Sequence, residues 1–266
     1  MVAAYRARAT AAGLIDDAWA AALTDAEGQA DAVTYDRAFP PAELWLAART
    51  AALDVEVRRR VAAGVAQVVI LGAGLDTRAA RLGAPGVRFF EVDQPASQAD
   101  KRARLLSLDN YPIDAATYVA CDFEHDDFLA RLVDAGFRTD APALFVWEGV
   151  TYYLPEAAVR ATLARVATGS DPRSVIAFDL VRRRLIEGRV RDKRDLAVAE
   201  HVASLGEPMV FGVDDPVGLA YECGFRKVDV TGFDVICLEL FGSWARERKF
   251  RHQAIARASV ATSLGW

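Results

Sequence analysis

Cysteine, histidine and methionine are all scarce in this chain: three Cys, three His and two Met among 266 residues. Cys121, Cys223 and Cys237 stand far apart, with no CxxC pair. Neither a metal ribbon nor a disulfide framework is therefore expected, and the three read as buried thiols in a reducing compartment. No uncharged run approaches the ~20 residues needed to cross a bilayer. The opening segment MVAAYRARATAAGLIDDAWAAAL lacks a basic cluster followed by an unbroken apolar core, the pattern of an export signal. The expectation is a cytoplasmic protein without a membrane segment. A basic excess is missing too: 32 Lys and Arg face 37 Asp and Glu, for a net charge of −5. A surface that tracks nucleic-acid phosphates is not expected on that balance.

What is present is a long apolar chain, 53% hydrophobic, able to bury its core as one large α/β domain. The first 64 residues are rich in Ala, Leu, Arg and Asp and read as a helical cover. Its last helix starts after the breaker Pro40-Pro41 and stops at Gly64. Then the texture changes. QVVIL (67–71), VRFFEV (87–92), ATYVAC (116–121), PALFVW (142–147) and SVIAFDL (174–180) are short apolar runs. ASQADKRARLLSL, HDDFLARLVDAG and EAAVRATLARVA are helical stretches between them. Buried strands alternating with amphipathic helices predict a Rossmann-like, doubly wound, mostly parallel sheet. Right-handed crossovers bring the ends of those strands to one edge, where such sheets bind ligands. A charged helical lid is expected over 182–205, then a helix near 214–223 and a strand in FRKVDVT. VICLEL (235–240) reads as one more strand and the last ~25 residues as helical.

The chemistry gathers at the strand ends. The first strand runs into Gly72-Ala73-Gly74, where glycine lets the backbone turn and approach a ligand. A dinucleotide fingerprint would continue to a third glycine or alanine, but Thr77 stands there and Asp76 precedes it. An anion in that loop suits a nucleoside sulfonium better than a pyrophosphate. The second strand ends in Glu91-Val92-Asp93-Gln94. Asp93 lies 21 positions beyond Gly72, close to the spacing of the acid that takes ribose hydroxyls. The other reading of Asp93 is a solvated strand-end acid. At the third strand end, Asp122 and Phe123 are candidates for the adenine amine and ring, although Phe123 taken alone is more often core than cofactor contact. At the fourth, Glu148 points into the same site and, if buried, needs a cationic or hydrogen-bonding partner.

VVILGAGLDTRAARL, FFEVDQP, CDF, WEGVTYYLP, GEPMVFGV (206–213) and the late GF (224–225) together resemble the leucine carboxyl methyltransferase family. That family includes a bacterial branch of small-molecule O-methyltransferases from polyketide pathways. The resemblance runs from about Pro41 to about Val230, and it implies S-adenosylmethionine as cofactor. It also implies that Arg49, otherwise an ordinary helical arginine, holds the methionine carboxylate. Gly72 and Gly74 would line the cofactor's path and Asp93, with Gln94 beside it, would bind the ribose. Asp122 and Phe123 would take the adenine end, and Glu148 the methionine end. The segment before Pro40 has no clear match to the eukaryotic phosphatase-methylating members, which favours a compact acceptor over a large protein partner.

For the acceptor an oxygen nucleophile is expected, first a carboxylate of a small molecule, then a phenol or enol, then a protein C-terminus. A carboxylic acid, of pKa ~4, needs no general base, whereas a phenol does. Tyr152 is the candidate catalytic residue. Tyr153, Arg182 and His201 are candidate acceptor contacts, each with a plainer reading: packing for the tyrosines, a solvated face for Arg182–Arg184, a surface position for His201. A nicotinamide oxidoreductase and a cofactor-binding module without catalysis are the alternatives from other classes.

Overall fold

The computed structural model describes residues 1–39, 42–123, 125–190, 208–242 and 252–262. The five apolar runs form β1 (Gln67–Leu71), β2 (Arg88–Asp93), β3 (Ala116–Ala120), β4 (Leu144–Trp147) and β5 (Val175–Val181). They pair in parallel, as the alternation with helices requires. With β6 (Lys227–Gly232) and β7 (Gln253–Ser259) the sheet has the order β3-β2-β1-β4-β5-β7-β6. β7 runs antiparallel to both of its neighbours, β5 and β6.

Successive residues of a strand face opposite sides, and β1 feeds two cores in this way. Val68 and Ile70 join one apolar cluster, Val69 and Leu71 the other. The first face is covered by α4 (Ala42–Ala62), through Trp45, Leu53 and Val57. The second face is covered by α7 (Phe128–Asp134), α8 (Glu156–Gly169) and α10 (Pro216–Glu222). Ahead of α4 lie α1 (Val2–Ala11), α2 (Ala20–Leu23) and α3 (Ala26–Ala38), within the region read as a helical cover. The short helices α5 (Arg78–Leu82) and α6 (Pro95–Leu106) follow β1 and β2.

Two readings of the C-terminal part are corrected. VICLEL is helical, within α11 (Phe233–Phe241), because Phe233, Ile236 and Cys237 recur at helical spacing and bury against α4. Gly242 stops that helix in the left-handed conformation, φ 66°. The tail read as helical contains β7 instead: QAIARAS has helix-favouring composition but lies between β5 and β6, where tertiary pairing overrides propensity. Of the expected lid, α9 (Arg183–Ile186) is a single short turn; residues 191–207, His201 among them, lie outside the described residues.

Strand register now places the site. Leu71 pairs with Val92 and with Trp147, and Trp147 pairs with Phe178. One residue further along each strand the chain reaches Gly72, Asp93, Glu148 and Asp179. These four stand in a row at the carboxyl edge, and β1 and β4 flank the point where the strand order reverses.

Candidate active site

Gly72, Gly74, Asp93, Gln94, Asp122 and Phe123 line one cleft, which Gly149, Val150 and Tyr153 close from the other side. Gly72 has φ 65°, and a Cβ there would stand 2.5 Å from the Val150 side chain. Only glycine allows that turn and that approach. Gly74, φ 46°, would meet no atom within 4 Å, so its open face belongs to the cleft. The Asp93 carboxylate accepts from the backbone N–H of Gly74 and from that of Gln94 at 2.7 Å. Burial pushes its pKa above the usual range, against the pull of those two amides. At the β3 end, Asp122 meets the His125 ring at 2.9 Å, while Phe123 packs 6.5 Å from Trp147 and 6.1 Å from Phe128.

Beside the cleft is a buried ionic cluster. Arg49, on α4, donates from Nε to Glu148 at 2.8 Å, and from Nη1 to Asp179 at 2.9 Å and to the Tyr152 hydroxyl at 3.0 Å. Arg78 pairs with the other Glu148 oxygen at 2.6 Å, with Asp54 at 2.7 Å and with Asp76. Thr50 adds a hydrogen bond to Glu148 at 3.2 Å. Burial alone would raise the Glu148 pKa, but Arg78 and Arg49 outweigh it and hold it at about 2. Asp76 behaves alike: burial is outweighed by Arg78, Arg6 and Lys101, again giving about 2. Burial raises Asp179 against the pull of Arg49, and lifts the Tyr152 phenol well above its ordinary value. Tyr152 therefore keeps its proton across the neutral range.

Glu148 has the cationic partners that burial demanded, and they are Arg49 and Arg78. The residue that reaches the cleft is its neighbour Gly149, φ 73°, whose N–H donates to Asp179 at 2.7 Å. A Cβ on Gly149 would sit 3.2 Å from the Arg49 guanidinium. Asp76 does not present its charge to the cleft loop as expected, because Arg78 neutralises it inside the protein.

A second cavity, of about 120 Å³, adjoins the first. Tyr35, Trp45, Leu46, Leu185 and Met209 form its apolar and aromatic walls, and Arg49, Tyr152 and Gln253 supply polar groups. Gly149 and Tyr153 line both spaces. The two tyrosines meet edge to face, centroids 4.6 Å apart. The chain at 210–213 folds back on this wall, with the Val210 and Phe211 N–H groups donating to the Tyr152 carbonyl. Arg182 is not part of it: its side chain donates to the Asp214 carbonyl at 2.6 Å and holds that returning segment. Arg183 likewise donates to the Gly212 carbonyl. The cation beside this cavity is Arg49 instead.

Sequence reasoning passed over Asp179, Arg78 and Gln253. Asp179 had a readable signal, a lone acid in the apolar strand VIAFDLV at the ligand edge. Arg78 and Gln253 had none, since their importance comes from partners and cavities distant in sequence.

Strand order and edge geometry together define a class: this is the fold of the class I S-adenosylmethionine-dependent methyltransferases. A DUF574 family protein from Streptomyces avermitilis superposes with TM-score 0.69 over 98% of this chain and 97% of its own, at 14% identity. A protein from Thermobifida fusca, provisionally named a methyltransferase, gives TM-score 0.62 over 89% of each chain at 15% identity. The sequence model of the family described as leucine carboxyl methyltransferase matches residues 1–167, and the chain belongs to that family. A Mycobacterium avium protein with the provisional name S-adenosyl-L-methionine-dependent methyltransferase is 39% identical over 194 residues, 68% of this chain. The chain spans 64% of the length of that curated relative. Membership of that family favours a methyl donor over a nicotinamide.

Proposed function

We propose that this protein transfers a methyl group from S-adenosylmethionine to an oxygen of a small molecule, and that the oxygen belongs to a carboxylate. The reading rests on one observation: Arg49 and the protonated Tyr152 stand together where the cleft and the second cavity share Gly149 and Tyr153. The cleft residues suit the cofactor. Gly74 leaves an open cradle, Asp93 is a strand-end acid fixed by two amides, and Phe123 offers a ring face. Asp93 would hold the ribose with Gln94 beside it, Asp122 and Phe123 the adenine end, and Arg49 the methionine carboxylate. Glu148 keeps Arg49 in place rather than meeting the cofactor directly.

When bound, S-adenosylmethionine supplies a methyl group already activated on a sulfonium. The acceptor oxygen's lone pair forms the new O–C bond while the carbon–sulfur pair stays on sulfur, and a carboxylate gives up no proton in doing so. The protein's part is alignment and exclusion of water, and orientation alone can account for ~7–11 kcal/mol of a barrier. Tyr152 donates a hydrogen bond that fixes the acceptor, while Arg49, whose charge Glu148 and Asp179 balance, holds the Tyr152 hydroxyl in place. Among the described residues lining the second cavity none is a carboxylate or an imidazole, which suits an acceptor ionised at neutral pH better than a phenol of pKa ~10.

The test is to incubate the protein with S-adenosylmethionine and a panel of small acids and phenols, and to follow products by mass spectrometry. The expected product gains one CH2 and loses it in mild base, as a methyl ester does. A base-stable methyl ether would make the acceptor a phenol or enol. No product with any acceptor, from a protein that binds the cofactor, would favour a module without catalysis.

A further inference from the structure

Gln253 opens β7 and pairs across the sheet with Val181, the last residue of β5. It therefore stands at the same edge as Glu148 and Asp179. The residue is 7% exposed, and its Oε1 is buried with no hydrogen-bond partner. Its side chain lines the second cavity. A buried carboxamide oxygen left unpaired costs ~1–3 kcal/mol, and native proteins rarely leave one without a reason. The cavity's other polar side chains, Arg49 and the hydroxyls of Tyr35, Tyr152 and Tyr153, leave that oxygen without a hydrogen bond. The missing partner is then a hydrogen-bond donor carried in by a ligand.

Size narrows the ligand. The cavity measures about 120 Å³, and an apolar cavity of ~150 Å³ accommodates benzene. The buried body of the ligand is one six-membered ring or its equivalent. Its anionic end belongs beside the Tyr152 hydroxyl, and its donor at Gln253.

Resting on the reading of this cavity as the acceptor pocket, we infer that Gln253 is its specificity-determining residue and that the acceptor is a monocyclic hydroxy acid. The Gln253 carboxamide accepts a hydrogen bond from the acceptor's hydroxyl group. An analogue without that hydroxyl leaves the carboxamide unsatisfied and binds worse, which is how buried polar groups discriminate.

Calorimetric titration of the whole protein with benzoate and with 2-, 3- and 4-hydroxybenzoate tests this, alongside Gln253→Leu and Gln253→Met. At least one hydroxybenzoate should bind the wild type tenfold or more tighter than benzoate. Both variants should lose that advantage, with no fall in benzoate affinity, in melting temperature or in affinity for S-adenosylhomocysteine. Equal affinity of all four acids for the wild type would overturn the inference, and so would an advantage that survives in either variant. The methyl esters of the same compounds separate this inference from the carboxylate reading. Gln253-dependent preference among the esters, with no binding of the acids, would keep the role of Gln253 and reject the carboxylate. Failure of every compound to bind, with S-adenosylhomocysteine still bound, would overturn the role of Gln253 and leave the cofactor site standing.

Discussion

Glu148→Gln removes one negative charge from between two buried guanidinium groups while keeping the side chain's size. In the wild type its oxygens meet Arg49 at 2.8 Å, Arg78 at 2.6 Å and Thr50 at 3.2 Å. Its pKa falls from the ordinary 4.5 to about 2. At ~1.4 kcal/mol per pKa unit, that drop corresponds to about 3 kcal/mol of folding stability at neutral pH. Breaking a buried pair from one side costs ~3–5 kcal/mol, so the two routes agree. The sign follows from a depressed carboxylate. The contribution is complete above pH 4.5 and disappears as the pH falls toward 2, with about half remaining near pH 3. Urea denaturation at pH 7 should show the variant about 3 kcal/mol less stable, a loss of roughly 6–12 °C in Tm for a chain of this size. At pH 3 the gap should narrow to about half, and added salt should change it little because the pair is buried. A loss below about 1 kcal/mol at pH 7, or a gap that does not narrow at pH 3, would mean that the Glu148 charge does not stabilise the fold through these pairs.

Asp93→Ala should weaken S-adenosylmethionine binding by ~1–3 kcal/mol, since it strips the acid from the cleft and frees the Gly74 and Gln94 amides; unchanged affinity in a folded variant would place the ribose elsewhere. Tyr152→Phe removes the hydroxyl that accepts from Arg49. It should leave cofactor affinity within about twofold and lower kcat by roughly 10–100-fold, the worth of a charge-assisted hydrogen bond. A matching loss of cofactor affinity would instead give Tyr152 a structural role on the cofactor side.

Strand existence was legible wherever a short apolar run met a glycine or an acid at the ligand edge, and β1 to β5 all fall where the runs predicted. The C-terminal part was less legible for a specific reason. Ile236, Cys237 and Leu240 are apolar enough for a strand, and only their contacts with α4 show that helical spacing organises them. Residues 253–259 hold three alanines and one arginine, and their strand exists only because β5 and β6 lie on either side. At the site, Gly72, Gly74, Asp93, Gln94, Asp122 and Phe123 could be read singly because each ends a strand or follows one. Their sharing of one cleft is a product of register. What local sequence could not show was charge balance. Asp76 looks like a loop anion and is half of an internal ion pair, while the arginine run 182–184 looks like an anion trap, yet Arg182 and Arg183 brace a returning segment.

Calorimetric titration of the purified protein decides whether the cleft at the carboxyl edge holds S-adenosylmethionine. S-adenosylmethionine and S-adenosylhomocysteine are the ligands, with NADH as control. Micromolar-range binding of both methionine nucleosides and none of NADH is the expected result. A folded protein that binds neither nucleoside would contradict the account and leave the cleft without its cofactor.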